Sequence, residues 1–196
     1  AGQFGEVYLR VEPLPRGAGF EFVDQVKGGA IPYNLIPAVE KGVREVLATG
    51  YVAGYPMQDL RVIVYDGKSH PVDSKEVAFV SAGRKAFLDA LSKAKPQVLE
   101  PIVRITVTTP EAYMGDIAGD LASRRGQVSN TESLPGGLME VEGLVPLAEL
   151  DGYATRLHAM TQGTGAWSMD LEDYQPTPMQ KQQELAAKFQ RQDEDD

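Results

Sequence analysis

Lys68, Ser69 and His70 stand side by side between an apolar run and a helix-like pattern. They offer one cation, one hydroxyl and one imidazole. The run Leu60–Tyr65 predicts a buried strand before them, and Pro71 disfavours helix at the residue that precedes it. We therefore expect the three side chains at the exposed tip of a strand–loop–helix connection, where they suit contact with a phosphate or base edge of RNA. The alternative is a solvated turn without a function.

Gly67-Lys68-Ser69 also matches the end of a phosphate-binding loop. That motif needs a glycine five positions before Gly67, and Val62 stands there, so the pattern does not predict nucleotide binding. Asp66-Gly67 is typical of a turn, and Asp73 followed by Glu76 resembles a capping box at the start of a helix.

The composition limits the chemistry further. With 196 residues, of which 42% are hydrophobic and 24% charged, the chain suits two globular domains. The absence of cysteine excludes disulfides, thiolate metal sites and cysteine nucleophiles, and fits a reducing cytoplasm. The two histidines, His70 and His158, are far apart, so we expect neither a metal nor a cofactor. No apolar run approaches the roughly 18 residues of a membrane helix, and the chain has no signal peptide.

Charge is distributed unevenly along the chain. The formal charge is +1 for residues 1–96, −8 for 97–175 and −2 for 176–196. The first segment is therefore the electrostatically plausible RNA contact. In the acidic middle segment, an RNA contact would be confined to a small patch at Arg124 and Arg125, or the segment would bind protein instead.

Periodicity predicts an α+β fold with two domains, bounded near residue 96. The first has the order ββαβα, with two initial strands that we expect to pair as a hairpin. Its elements are predicted at Gln3–Val11, Phe20–Val26, Asn34–Thr49, Gln58–Tyr65 and Ser74–Ala94. The second, 97–175, has the order βαββαβ of a ferredoxin-like domain with both helices on one face. Residues 176–196 are expected to form an acidic tail, disordered at its end.

Several stretches resemble a known family. The first half resembles the fourth domain of bacterial elongation factor G at Phe22–Pro32, Ile36–Gly42, Ala53–Pro56 and Ser69–Ser74. The second half is similar to the fifth domain of that family at Thr109–Glu111, Gly115–Asp116, Gly119–Leu121, Ser123–Gly126 and Gly152–Thr155. The resemblance covers about residues 2 to 176, and it implies a small-subunit ribosomal-protein-like fold for the first domain.

The resemblance implies that the first domain is a lever whose tip enters the decoding region of the small ribosomal subunit during tRNA–mRNA translocation. Its implied partners are the ribosome, with rRNA and ribosomal proteins, and tRNA, without membrane or DNA, for a monomeric cytoplasmic protein. Residue by residue, the implied RNA contacts are the tip loop, Lys68, Ser69 and His70, and a companion loop that includes Lys27, Gly28, Gly29 and Tyr33. To these we add Arg124 and Arg125.

The resemblance also implies a fragment of a longer GTPase, with GTP and Mg²⁺ bound outside this chain and no catalysis within it. Three departures from the family pattern alter the expected contacts. Pro71 replaces a common acidic residue, Tyr33 a lysine or similar residue, and Thr164 an arginine. These departures suggest a divergent paralogue.

Other functions remain open at this stage. Related factors translocate, recycle ribosomes or protect them from a drug, and they share this two-domain end. For an enzyme, the main remaining carboxylate pair is Glu140 and Glu142, which the alternation places on the wet face of one strand. A ferredoxin-like ligand-binding regulatory module would explain residues 97–175 but not the loops of the first domain.

Overall fold

The computed structural model describes residues 2–189, and it divides into two compact units. The first runs to Val98 and includes the segment from Pro178 onward; the second is Leu99–Thr177. Both contain a β-sheet with helices, so the predicted α+β class is confirmed.

The first unit contains the elements ββαβα in the predicted order, followed by a helix from the end of the chain. They are β1 Glu6–Pro13, β2 Phe20–Asp24, α1 Ile36–Thr49, β3 Leu60–Lys68, α2 Glu76–Ala94 and, after the second unit, α5 Met179–Lys188. Helix α1 has its proline in the first turn and ends at Gly50, whose φ is 75°. Both features were expected from the sequence.

The predicted hairpin between β1 and β2 is wrong, because β3 lies between them. Strand β3 pairs antiparallel with β1 and parallel with β2. Val62, Ile63 and Val64 in succession are almost fully buried, which is the pattern of a strand covered on both faces. The apolar run of β3 therefore occupies the centre of the sheet, and the two more amphipathic strands flank it.

Strand β3 also extends three residues beyond its predicted end at Tyr65, and the predicted turn at Asp66-Gly67 is wrong. A bulge at Tyr65 lets the strand continue, so that Gly67 pairs with Val7 and Lys68 with Glu6. A β-carbon at Gly67 would collide with the Glu6 carbonyl oxygen and the Ile31 side chain. Gly67 thus permits a close approach within the sheet rather than a reversal of the chain.

The predicted capping box is wrong as well. Helix α2 begins at Glu76, its N-cap is the extended residue Lys75, and no side chain caps it. Asp73 and Ser74 belong to the preceding loop, where the Ser74 hydroxyl is hydrogen-bonded to other backbone groups.

The second unit has the predicted βαββαβ order. Its elements are β4 Leu99–Pro110, α3 Met114–Ser123, β5 Gln127–Leu134, β6 Leu138–Pro146, α4 Tyr153–Met160 and β7 Ala166–Pro176. The sheet order is β5-β6-β4-β7 with every pair antiparallel, which is the ferredoxin-like arrangement. Gly136 and Gly137, both at positive φ, form the turn of the β5–β6 hairpin.

Each unit has its own apolar core. In the first unit, α1 and α2 pack on the sheet around Val39, Val64 and Phe79. In the second, α3 and α4 contribute Ile117, Leu121 and Tyr153. The separate cores explain why contacts cluster into two units.

Part of the segment that we expected to be a tail is helical. Helix α5 groups with the first unit, and within that unit the Gln182 side chain accepts a hydrogen bond from the Val98 N–H at 2.9 Å. The acidic end Asp193–Asp196 lies outside the described residues. Across residues 2–189, no helix is long and apolar enough to cross a bilayer.

Candidate functional site

Two loops of the first unit lie at the same end of its sheet. Because β2 and β3 are parallel, their carboxyl ends lie at one end of the sheet, and so do the loops that follow them. The tip loop, residues 69–75, follows β3. The companion loop, residues 25–33, follows β2. The strand order thus brings together the two sequence stretches that we predicted to act jointly.

The tip loop is closed by Ser74. The Ser74 hydroxyl accepts a hydrogen bond from the His70 N–H at 2.7 Å and donates one to the Phe4 carbonyl at 2.9 Å. The Ser74 N–H donates to the His70 carbonyl at 3.1 Å, and the Phe4 N–H to the Asp73 carbonyl at 3.0 Å. The loop is therefore fixed to the start of the chain before any partner binds.

His70 is exposed at this tip, with 52% of its side chain accessible. Its Nδ1 accepts hydrogen bonds from the backbone N–H groups of Val72 and Asp73, both at 3.3 Å. The Asp73 carboxylate also lies 3.3 Å from Nδ1. Within residues 2–189, Nε2 has no hydrogen-bond partner. The ring therefore presents its Nε2 edge to solvent, in an orientation that the loop fixes.

The neighbouring tip residues are also exposed. Ser69 is accessible, and the Lys68 ammonium lies 3.7 Å from the Glu6 carboxylate with 69% of its side chain exposed. Such a surface ion pair holds the lysine weakly, so Lys68 can exchange its partner for a phosphate.

The companion loop combines two glycines with exposed side chains. Gly28 and Gly29 have φ values of 65° and 69°, a region that other residues rarely adopt. Lys27 is exposed beside them, and 88% of the Tyr33 side chain is accessible. A tyrosine with so few contacts contributes little to folding and offers a ring on which a base could stack.

Ile31 packs the companion loop against the end of β3. It is 2% exposed, and its side chain lies against Gly67, where a β-carbon would come within 2.7 Å of it. The Gln25 N–H also donates to the Val64 carbonyl at 2.8 Å. Between the companion loop and β3 is an open depression of about 770 Å³, lined by Gln25, Val26, Lys27, Tyr65 and Asp66.

This end of the unit presents groups that are suited to binding. Its groups are two lysines, a hydroxyl, an imidazole and a tyrosine ring, held on backbone that the sheet supports. Within residues 2–189, no cluster of three or more His, Asp or Glu side chains is placed to hold a metal ion. The Gly67 N–H donates to the Asp66 carboxylate at 2.8 Å within a strand, so Gly67-Lys68-Ser69 does not form a phosphate cradle.

Arg124 and Arg125 do not join this site, since they belong to the second unit. The Arg124 guanidinium binds the Asp120 carboxylate at 2.9 Å and the Glu149 carbonyl at 2.7 Å, with 17% of its side chain exposed. Arg125 makes a bidentate pair with Glu100 at 2.8 and 2.9 Å. This pair raises the pKa of Arg125 further above its usual value, despite some burial. Both arginines have internal acidic partners, and we assign them a structural role.

Sequence reasoning missed the residues that support the site: Phe4, Ile31, Gly67 and Ser74. Phe4 packs edge-on against the His70 ring, with centroids 6.5 Å apart. None of the four has a motif of its own, because each acts through a contact with a distant part of the chain. The one sign available in the sequence was the apolar side chain of Ile31, which closely follows Gly28 and Gly29.

The fold and the exposed loops define a class: a two-domain α+β region with exposed loops at one end of its first sheet. Two family models match it, elongation factor G domain IV over residues 1–95 and elongation factor G C-terminus over residues 97–185. The chain therefore belongs to the elongation factor G family, of which it carries these two regions.

Individual relatives agree with the family models. Elongation factor G of Aquifex pyrophilus is 50% identical over 177 residues, and that of Dehalococcoides mccartyi is 52% identical over 177 residues. Each match covers 90% of this chain and 25% of the relative. A crystal structure of a Thermus thermophilus protein is 36% identical, with a TM-score of 0.77 over 94% of this chain and 27% of that one. The chain thus spans about a quarter of the length of these relatives.

Proposed function

We propose that this chain is the ribosome-binding part of a translational GTPase that promotes tRNA–mRNA translocation in the cytoplasm. Its first unit acts as a lever, and the tip and companion loops enter the decoding region of the small subunit and contact RNA. The GTPase activity and its GTP and Mg²⁺ belong to a region outside this chain. The family matches support a role in translation elongation; the finer steps are our inference.

The observation that carries the proposal is the placement of the two loops at the same end of one sheet. Parallel pairing of β2 and β3 puts Lys27, Lys68 and His70 at that end, and Ile31 fixes the companion loop to the end of β3 from which the tip loop continues. A lever needs such a tip, because a loop that yields on contact transmits no displacement. The exposed donors suit phosphate and base edges, and the Tyr33 ring suits an unstacked base.

The placement of the tip can be tested by directed hydroxyl-radical probing. The chain has no cysteine, so Ser69→Cys gives it one attachment point for an iron chelate. We would place this chain in elongation factor G of Aquifex pyrophilus, in exchange for the matching quarter, and the hybrid without the substitution would show the background from the rest of the protein. Cleavage of decoding-region rRNA is expected from position 69. Ser92→Cys is the matched control, because Ser92 lies about 25 Å from the start of α2 by helical rise. It should give no cleavage of decoding-region rRNA.

The same hybrid tests the role of the tip in translocation. His70→Ala should slow tRNA movement by about tenfold, the effect of one lost interaction of about 1.4 kcal/mol, without changing GTP hydrolysis. Lys93→Ala removes a charge from the far end of α2 and should have no effect. Equal rates for both variants, or cleavage from position 92 alone, would contradict the proposal.

A further inference from the structure

Strand β7 of the second unit carries a stripe of large apolar side chains. Trp167, Met169 and Leu171 stand opposite β4 residues whose side chains form the core, so they point to the face of the sheet that bears the helices. A register shift leaves Glu172 without a β4 partner, which returns Tyr174 to the same face. The stripe therefore continues along the whole strand.

Most of the stripe is uncovered. The exposed fractions are 45% for Met169, 60% for Leu171 and 42% for Tyr174. Trp167 alone is half-buried, against the ring of Tyr153 at a centroid distance of 5.1 Å. Large apolar side chains exposed in a row, on the face that should be buried, mark an interaction surface.

Helix length explains the exposure. Helix α4 has 8 residues and so measures about 12 Å, whereas β7 has 11 residues and measures about 36 Å. Helix α3 packs on β5 and β6, at the other side of the sheet. Neither helix is placed to cover β7 beyond its Trp167 end.

Strand β7 is also an edge strand. It comes last in the order β5-β6-β4-β7, and every second N–H and C=O along it points away from β4. Natural edges are commonly protected by lysine, but Ala166–Pro176 contains none and no arginine. Its charged residues are Asp170, Glu172 and Asp173. Glu172 is held by Arg104 at 2.8 Å, which leaves the two aspartates as the acidic groups of the opposite face.

We propose that β7 is a docking edge for an extended segment of a partner protein with alternating apolar and basic side chains. The segment adds to the sheet as a fifth strand, and its backbone bonds to the free edge of β7. Its apolar side chains cover Met169 and Leu171, while its lysines or arginines face Asp170 and Asp173. Charge complementarity selects this occupant.

The region of the longer protein outside this chain is an alternative occupant, and slow amide exchange of β7 in the hybrid protein without peptide would overturn the proposal in its favour. Three other occupants fit poorly. A second copy of the chain would place Asp170 and Asp173 against the same acidic residues, and like charges across strands are destabilising. The chain's own final residues, 190–196, contain no apolar side chain and four acidic ones. RNA carries the same sign of charge as this edge.

The test uses the 196-residue chain and the synthetic peptide acetyl-Lys-Val-Lys-Val-Lys-Val-Lys-amide. Trp167 is the only tryptophan, so its fluorescence should change as the peptide covers the stripe, and amide hydrogens of β7 should exchange more slowly. A glutamate analogue of the peptide should not bind. An analogue N-methylated on alternate residues, which cannot form the ladder, should also not bind.

Leu171→Asp is the decisive variant, because it removes an apolar contact and adds a charge that attracts the peptide. Strand addition predicts at least about tenfold weaker binding, the effect of losing about 1.4 kcal/mol. Met169→Asp should act in the same direction, and Val77→Asp, at an exposed apolar position of α2 in the first unit, should leave affinity unchanged. Tighter binding by Leu171→Asp, full binding of the N-methylated peptide, or a dimer that Leu171→Asp dissolves would overturn the proposal.

Discussion

Ser74, more than His70, holds the tip loop in place. The Ser74 hydroxyl connects the His70 N–H to the Phe4 carbonyl, whereas the His70 ring makes two long hydrogen bonds within its own loop. We expect Ser74→Ala to lower the free energy of unfolding of the first unit by about 1 kcal/mol, because it removes two hydrogen bonds whose backbone groups lie near solvent and can bind water instead. His70→Ala should cost about 0.5 kcal/mol, the usual cost at a surface position.

Urea unfolding followed by far-UV circular dichroism would measure both changes. Which of the two substitutions destabilises the unit more also bears on function. If His70→Ala destabilised the unit as much as a core substitution, His70 would be a structural residue, and its proposed role at the ribosome would fall with it.

Tyr153 is a buried tyrosine whose hydroxyl has no hydrogen-bond partner within the described residues. Burial, and next the Asp120 carboxylate, raise the pKa of Tyr153 to about 12, against an ordinary value of 10.0. The unfolded chain therefore ionises first as the pH rises. Stability from the neutral hydroxyl is fully present below pH 10 and is lost between pH 10 and about 12.

Tyr153→Phe should abolish the loss of stability between pH 10 and about 12. The variant keeps the ring contacts with Trp167 and Arg124, and it should be as stable as the parent or about 1 kcal/mol more stable at pH 7, since no hydrogen bond is broken. Trp167 fluorescence in urea series at pH 7 and pH 11 would report it. A marked loss at pH 7 would show that the hydroxyl has a partner that the fold does not reveal.

At the level of elements, α1 and α2 cross through a pair of glycines. A β-carbon at Gly42 would collide with the Val80 carbonyl oxygen, and one at Gly83 would lie 2.6 Å from the Val39 carbonyl oxygen. Gly83→Ala should therefore force the helices apart and destabilise the first unit by about 1 to 3 kcal/mol. Gly119→Ala is the control, because nothing lies within 4 Å of that position in α3.

The control should change stability in the opposite direction. Alanine in an exposed helix interior is favoured over glycine by about 0.5 to 1 kcal/mol, so Gly119→Ala should stabilise the second unit. A neutral effect of Gly83→Ala would mean that α1 and α2 can separate without cost, and would contradict the crossing described above.

The same elements show how far the sequence alone could lead. Apolar periodicity and turn residues located every helix and strand up to β7, and the order βαββαβ then selects one sheet topology. The strand order of the first unit could not be predicted in this way, because β1 and β2 both alternate in polarity. Only the burial of β3 on both faces reveals that it lies between them. The roles of individual glycines could not be predicted from the sequence either. Gly67 and Gly83 are indistinguishable from turn or weak-helix residues until their neighbours in the fold are known.

The residues of the candidate site could be predicted from the sequence to different degrees. Exposed tip residues such as Lys68 and His70 follow from their place between a strand and a helix. The Arg124–Asp120 pair has the i, i+4 spacing of a helix and could have been expected, whereas the partners of Arg125, Glu100 and Glu149, lie 25 and 24 residues away in sequence.

For the whole molecule, the chain path predicts that the first unit depends on residues from both ends of the sequence. Helix α5 follows the second unit but groups with the first, where Gln182 binds the Val98 N–H and the Phe189 ring lies against Gly54. Removal of residues 178–196 should lower the stability of the first unit by about 2 kcal/mol, given the partial burial of Leu185 and Phe189.

The stability of the second unit should not change on that truncation. The single tryptophan allows unfolding of the two units to be observed separately. Trp167 lies in the second unit, so its fluorescence follows that unit alone, whereas far-UV circular dichroism follows both. We expect the truncated chain to unfold in urea with an unchanged fluorescence midpoint and an earlier circular-dichroism transition. A common shift of both signals would show instead that the units unfold as one cooperative body, and Gln182→Ala, which removes only the bond to Val98, would then be expected to move both midpoints as well.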